Sequence, residues 1–241
     1  MTDLHTHILP EMDDGAKSVE ESLTMLRMQR EQGVNTVVLT PHFYPDREDA
    51  DTFLWRRGEA MRCLQDALSA LEVEQQTMPG LILGAEVAWR SDLLECERLG
   101  ELCIGQTKNM LVELPFTPWT EHMVNQLYEL LTCFGITPVI AHLERYLEIQ
   151  NPKVIGKLLE LDVPVQISAG VLKRPILRRG AVKLLKRGQA HLLASDCHDP
   201  RQRIPDLAAG MEIVRRKLGK QYVQELCDCA GKLARTCSPC G

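Results

Sequence analysis

Short aliphatic or β-branched runs alternate with longer amphipathic stretches along this chain, the pattern of repeated βα units around a parallel sheet. The apolar runs predict seven strands, over residues 2–5, 36–40, 81–85, 110–113, 138–141, 165–167 and 191–194. Apolar positions at helical spacing predict helices over 19–32, 53–74, 92–99, 122–134, 153–161, 176–187 and 206–218. Gly33, Gly100, Gly135, Gly188 and Gly219 stand just past five of these helices, where a C′ glycine closes the last turn. Ser18 followed by Glu21 is a capping box, and Asn151-Pro152 supplies a cap and an N1 proline. No linker, low-complexity stretch or short repeat divides the chain, and 241 residues suit a single α/β barrel, so one domain over 1–241 is expected.

The polar residues that follow the strands are more informative. His5 and His7 end the first, His42 follows the second and Glu86 the third; Glu113 ends the fourth, His142 follows the fifth, and Asp196 and His198 follow the seventh. In a parallel barrel these positions share one rim, where such folds place their chemistry. Asp14, in the loop after His7, can fold back over that rim. His5 and His7 are alternate residues, so both imidazoles can face one ion. A lone His-x-His or strand-end glutamate is bland, but five of the seven histidines beside four carboxylates mark a metal centre. Imidazole suits Zn, Fe, Mn or Co, and carboxylates suit harder ions and can bridge two of them.

Such a cluster suits a phosphate ester. A metal-bound hydroxide is a nucleophile near neutral pH, and adjacent ions stabilise the attacking and leaving oxygens of an in-line displacement. Arg145 and Arg203 fall near the same rim, and a planar guanidinium matches phosphate oxygens. His122 begins a helix and His191 a strand, the wrong end of the barrel, so both are read as structural. Cys197 alternates away from Asp196 and His198 and is read as packing.

Composition narrows the partners. A net charge of −5 and a pI near 5.8 provide no overall basic field to draw the protein onto nucleic acid or anionic membrane. Neither an export signal nor an apolar run long enough to span a bilayer is present, and the chain is read as cytoplasmic with no membrane insertion. Nine scattered cysteines, an odd number without an export signal, read as reduced thiols. Cys237 and Cys240 form a C-x-x-C in a cysteine-rich tail that starts at about residue 227.

The runs Asp3-Leu4-His5-Thr6-His7, Asp13-Asp14-Gly15-Ala16-Lys17, Thr40-Pro41-His42, Gly84-Ala85-Glu86 and Ala141-His142-Leu143-Glu144-Arg145, with Glu113 and Asp196-Cys197-His198, resemble the motifs of the polymerase-and-histidinol-phosphatase (PHP) superfamily. Within it, they are similar to bacterial manganese-dependent tyrosine phosphatases of the CpsB/YwqE type, from residue 2 to about residue 218. The resemblance implies a distorted (β/α)7 barrel that holds three divalent ions, commonly Mn2+ with Fe, Zn or Co as alternatives. It implies hydrolysis of phosphotyrosine on a protein, a bacterial tyrosine kinase controlling capsule or exopolysaccharide synthesis. Carried over, His5, His7, Glu86 and Asp196 hold one ion; Glu86 as bridge, Glu113 and His142 a second; Asp14, His42 and His198 a third. Arg145 and Arg203 match the family's arginines for the substrate phosphate. Glu11 departs from the pattern, which has glycine there.

Other chemistries can be stated against this reading. Cys229 to Arg235 forms the C-x5-R spacing of cysteine-based phosphatases, whose phosphate loop needs a preceding buried strand and a following helix; here 221–229 reads as a helix. The same ligands would also serve a small-molecule phosphatase, such as one acting on histidinol phosphate, or a nuclease. A metal-dependent scaffold without activity would be expected to lack ligands, and none is missing. The aromatic residues Phe43, Tyr44, Trp55, Trp89, Phe116 and Trp119 lie in loops able to receive a tyrosyl ring.

Overall fold

The computed structural model describes residues 1–71 and 77–235. Cys237, Cys240 and the end of the predicted 53–74 helix lie outside these residues. The fold is mixed α/β with parallel pairing. In chain order it runs β1 (Thr2–Thr6), α1 (Val19–Glu31), β2 (Thr36–Leu39), β3 (His42–Phe43), α2 (Ala50–Ser69), β4 (Gly80–Leu83), β5 (Glu86–Ala88) and β6 (Asn109–Glu113). It continues α3 (Glu121–Thr132), β7 (Thr137–Ile140), α4 (Pro152–Leu159), β8 (Gln166–Ser168), α5 (Pro175–Lys186), β9 (Leu192–Ala194), α6 (Leu207–Leu218) and α7 (Lys220–Leu233).

The strands pair in the orders β1-β2-β4, β3-β5-β6-β7 and β8-β9, all in parallel. Backbone hydrogen bonds run through the breaks: Thr40 N donates to Thr6 O at 2.9 Å, Gly84 N to Leu39 O at 2.8 Å and Glu86 N to Pro41 O at 3.0 Å. β2 and β3 therefore act as one bent strand, as do β4 and β5. Single parallel bridges join Ile140 to Val165 and Thr6 to Cys197. With Asp196 N on His5 O and His7 N on Cys197 O, both at 2.9 Å, the last strand returns to the first.

Leu4, Val38, Leu111, Val139 and Leu192 meet in an inner apolar cluster, joined by Ala230 and Leu233 of α7 and by Ala234 just past its end. Asn109, the first residue of β6, donates to Leu233 O at 2.9 Å, which puts α7 at the amino ends of the strands. In β1 the step from Asp3 to Thr6 matches Val37 to Leu39 on β2, so β1 carries one extra residue. That bulge re-aims successive side chains. Leu4 joins the inner cluster and its neighbour His5 joins the polar centre described below.

Local signals explain most element ends. Ser18 Oγ accepts from Glu21 N at 3.3 Å, while Glu21 Oε2 takes Lys17 N at 3.0 Å, one residue earlier than a capping box has it. Asn151 Oδ1 caps α4 through Lys153 N at 3.0 Å. Asp49 caps α2 through Thr52 N at 2.8 Å, so this helix begins before the predicted residue 53. The helix expected over 92–99 is absent; residues Leu93–Glu95 and Leu99–Leu102 form separate 3-10 turns. Neither turn has a side-chain cap, and Leu93, Leu99 and Leu102 satisfy the core from these short pieces.

Candidate metal centre

The carboxyl ends of the strands meet around Glu86, the first residue of β5, which is buried. Its Oε2 lies 3.1 Å from His5 Nε2, 3.2 Å from His7 Nε2 and 3.0 Å from His42 Nδ1; its Oε1 lies 2.9 Å from His142 Nε2. Glu113 Oε1 is 3.5 Å from the same His142 nitrogen. Asp196 Oδ1 sits 3.6 Å from His5, 3.7 Å from His7 and 3.6 Å from His198. Asp14 Oδ1, on an exposed side chain, reaches His42 Nε2 at 3.5 Å and His198 Nε2 at 3.4 Å. All nine residues expected to be ligands therefore converge, each supplied by a strand end or by the loop after β1.

Ligand atoms lying within 4.8 Å of one another form three groups: His5, His7 and Asp196; His42, Glu86 and Glu113; and His7, Asp14, His42 and His198. Compared with the division implied by resemblance, His42 stands with Glu86 as well as with Asp14, His7 borders two groups, Glu86 is absent from the group of His5 and Asp196, and His142 falls in none of the three.

The chemistry of these donors fits a cation. His5 Nδ1 is engaged by Gln166 Oε1 at 3.3 Å and His7 Nδ1 by Asp13 Oδ2 at 2.7 Å. Both histidines thus turn Nε2 inward, 3.1 Å apart, onto the same carboxylate oxygen. Two such nitrogens are stable side by side only with positive charge between or upon them. Glu86 Oε2, His42 Nδ1, His142 Nδ1 and His198 Nε2 are buried without a hydrogen-bond partner, although carboxylates or imidazoles stand close to three of them. Donor atoms that crowd one point without hydrogen-bond geometry are what a coordination site provides.

The electrostatics agree. Burial alone would raise Glu86, but the His5 charge, the hydrogen bond with His142 and the close approach of the His42 and His5 nitrogens hold it well below the ordinary carboxylate range. Burial likewise opposes His7, yet Asp13 and Glu86 lift it to about 10. Asp196, despite burial, is held at about 2 by His5 and Arg145. The negative potential that raises His7 is equally available to a divalent ion, which competes with protons for the same nitrogens.

Two backbone positions in the centre are left-handed without being glycine: His142 at φ 32° and Asp196 at φ 53°. Such conformations persist where the surroundings over-determine them, and here each turns a strand end into the cluster. Glu11, where the resemblance has glycine, is left-handed too, at φ 57°. Its N–H closes the ligand loop on Ala16 O at 2.9 Å. The departure keeps the loop's backbone and places a side chain in glycine's conformation.

Arg145 and Arg203 both reach Asp196: Arg145 Nη2 bonds Oδ2, and Arg203 Nη2 bonds Oδ1 at 2.8 Å. They line a groove of about 540 Å³ together with Phe116, Ile149, Lys173 and Arg174. Phe116 is 58% exposed and packs on Tyr146, and Tyr44 stacks on His42 with centroids 5.1 Å apart. The other aromatic residues proposed for a tyrosyl ring do different work. Phe43, Trp89 and Trp119 are buried, and Trp55 is exposed in a separate hollow beside Pro10 and Met12.

Asp13 and Gln166 went unrecognised in the sequence. Asp13 binds His7 Nδ1, His42 N at 2.8 Å and Gly15 N at 2.8 Å; Gln166 Oε1 binds His5 and the His142 N–H at 2.7 Å. The signals were an acidic pair after the His-x-His and a glutamine inside an apolar strand. His191, set aside as structural, accepts from Val165 N at 3.1 Å, and Cys197 is buried. Cys229 lies inside α7 with its thiol raised by burial, the opposite of an activated nucleophile.

The chain matches the family described as capsular polysaccharide synthesis, CpsB/CapC, over residues 1–233. It is 30% identical to the tyrosine-protein phosphatase CpsB of Streptococcus pneumoniae over 242 residues, covering 94% of each chain. It is 30% identical to the tyrosine-protein phosphatase YwqE of Bacillus subtilis (strain 168) over 239 residues, covering 98% of this chain and 92% of the relative. Among solved structures, a chain from the work on YwqE of B. subtilis and CpsB of S. pneumoniae, described as unique metal-dependent tyrosine phosphatases, superposes with a TM-score of 0.83. That chain shares 27% identity, and the match covers 98% of this chain and 94% of the other.

Proposed function

The chain belongs to the CpsB/CapC family of capsular polysaccharide synthesis, and from that premise we propose that it is a metal-dependent protein-tyrosine phosphatase. Its substrate is a phosphotyrosine-bearing protein, specifically a bacterial tyrosine kinase that controls capsule or exopolysaccharide synthesis. The observation that carries this reading is the convergence of four imidazoles on the Glu86 carboxylate, within 3.2 Å. Structural ion pairs do not need that many histidines, and a polymetal site does.

We read the seven bent or straight parallel strands as one distorted (β/α)7 barrel and residues 1–241 as one domain. His5, His7, Asp14, His42, Glu86, Glu113, His142, Asp196 and His198 would hold three divalent ions, most readily Mn2+. When bound there, such ions supply Lewis acidity toward phosphoryl oxygens and lower the pKa of water. The chain's own groups do the rest. Asp13 and Gln166 fix the rings of His7 and His5 through Nδ1, so that each presents Nε2. Arg145 and Arg203, partly exposed in the groove, offer planar donors to the phosphate oxygens and hold the ester at the cluster. Phe116, beside the same groove, is placed to receive the tyrosyl ring. No helix among the described residues is long and apolar enough to cross a membrane.

The test is hydrolysis of a phosphotyrosine peptide by metal-stripped protein titrated with manganese, with a phosphoserine peptide and histidinol phosphate in parallel. Manganese-dependent turnover confined to phosphotyrosine is expected. Preference for histidinol phosphate would keep the centre and change the substrate; activity that survives chelation but is lost in Cys229→Ser would overturn the mechanism.

A further inference from the structure

The charge of this chain is unevenly distributed. The protein is acidic overall, at −5, yet no aspartate or glutamate occurs between Asp162 and Asp196. That stretch contains Lys173 and Arg174, which lead into α5, and then Arg178, Arg179, Lys183, Lys186 and Arg187. On α5, Ala181, Leu184 and Leu185 are buried against the body, while Arg179, Lys183 and Lys186 stand exposed.

Several arginines elsewhere on the surface are neutralised within the chain: Arg62 by Glu59, Arg90 by Asp46, Arg98 by Glu101, and Arg215 and Arg216 by Glu212. Among the described residues, Arg174, Arg179, Lys183, Lys186 and Arg187 form no ion pair, and Lys173 alone has one, with Asp206 at 2.7 Å. A row of like charges repels itself, and that cost is recovered when an anion docks.

The row also adjoins, along the chain, residues that line the groove at the candidate metal centre. Lys173 and Arg174 line the same groove as Arg145 and Arg203. A second hollow of about 640 Å³ starts at the next residue, Pro175, and runs beside Arg179, Lys183, Lys186 and Lys217. We propose that this hollow, resting on the phosphatase reading above, binds an acidic polypeptide segment that flanks the substrate phosphotyrosine. The near groove carries Glu144, Glu148 and Asp206, so the acidic residues belong past Arg174 and not immediately beside the phosphotyrosine. α5 is 12 residues long, roughly 18 Å by its rise, and accommodates about five extended residues. Concavity, and a position next along the chain to the groove at the centre, favour a polypeptide over a flat bilayer surface. No aromatic residue occurs on α5 to stack nucleobases.

The experiment compares full-length, manganese-loaded protein with the combined variant Arg179→Glu, Lys183→Glu, Lys186→Glu. The substrates are phosphotyrosine peptides whose distal flanks, on either side, are acidic or neutral, together with p-nitrophenyl phosphate. For the unaltered protein at low salt, the better acidic peptide should show a KM about tenfold below its neutral counterpart, an advantage erased near 0.5 M salt. The variant should lose that advantage while kcat and aryl phosphate turnover stay unchanged. Anisotropy of the labelled acidic peptide should report the same loss in binding. Equal KM ratios in the two proteins, with aryl phosphate still hydrolysed, would overturn this inference and leave the phosphatase reading standing. So would binding to phosphatidylserine vesicles that the variant loses while its peptide preference persists. Absence of phosphotyrosine turnover by the unaltered protein would overturn both.

Discussion

Gly15 lies directly beneath His7: a Cβ built on Gly15 would meet the His7 carbonyl oxygen at 2.1 Å and the His7 Cβ at 2.5 Å. The Ala16 N–H reaches that same oxygen at 3.0 Å, so the ligand loop and the histidine just past β1 are packed as one piece. Gly15→Ala must push the His7 backbone out of place. We expect a stability loss of about 1–3 kcal/mol from the overpacking. Manganese-dependent turnover should fall at least tenfold, and thermal unfolding with metal titration on the same preparation checks both.

Asp13 holds His7 without belonging to the expected ligand set. Asp13→Asn retains the shape and loses the charge that lifts His7 and fixes its ring. Metal affinity should weaken by about 10–100-fold, the range found for outer-sphere carboxylates, with turnover recovering at high manganese. Activity followed against free metal concentration would show this as a shifted midpoint; an unchanged midpoint would remove Asp13 from the centre's support.

Glu11 occupies a left-handed position at φ 57°, a conformation that disfavours any residue with a Cβ. Glu11→Gly should relieve this strain, less the extra chain entropy of glycine, for a net gain of about 0.5–1 kcal/mol in denaturant unfolding. Its activity should be unaltered, since Glu11 is exposed and its backbone bond to Ala16 is kept.

Glu144 is half-buried beside Arg145, its Oε1 accepting from Ser168 N at 3.3 Å and its Oε2 shielded from solvent without a partner. Burial raises its carboxyl from 4.5 to about 7. Between those values the folded protein retains a proton that the unfolded chain has released, so stability falls as pH rises through this window and levels off above it. Glu144→Gln removes the dependence. The difference in unfolding free energy between variant and unaltered protein should grow by about 3 kcal/mol from pH 4.5 to 7. A difference that is flat with pH would refute the burial of this charge.

Much of the centre was legible because its chemistry sits where the chain changes character. An apolar run that ends in histidine or glutamate announces itself, and His5, His42, Glu86, His142 and Asp196 all occupy such points. What was hidden follows from short range and long distance. β3 and β5 contain two and three residues and carry no periodicity of their own; they are strands because β2 and β4 aim them at each other. The turns at Leu93–Glu95 and Leu99–Leu102 have helical composition, but no side-chain cap starts them as one helix. Gln166 serves His5 across 161 residues, and no local spacing records such a partnership.

The return of the last strand to the first bears on how the protein is made. Asp3 accepts from Ser195 N at 2.9 Å across 192 residues, and His5 O receives the Asp196 N–H. During synthesis, the first histidines leave the ribosome long before the segment that fixes them. A nascent chain that stops short of residue 192 has His5 and His7 but neither Asp196 nor His198 to complete their surroundings. Asp196 and His198 join His5 and His7 only after the last strand has been made, so the proposed centre is assembled late in the growth of the chain.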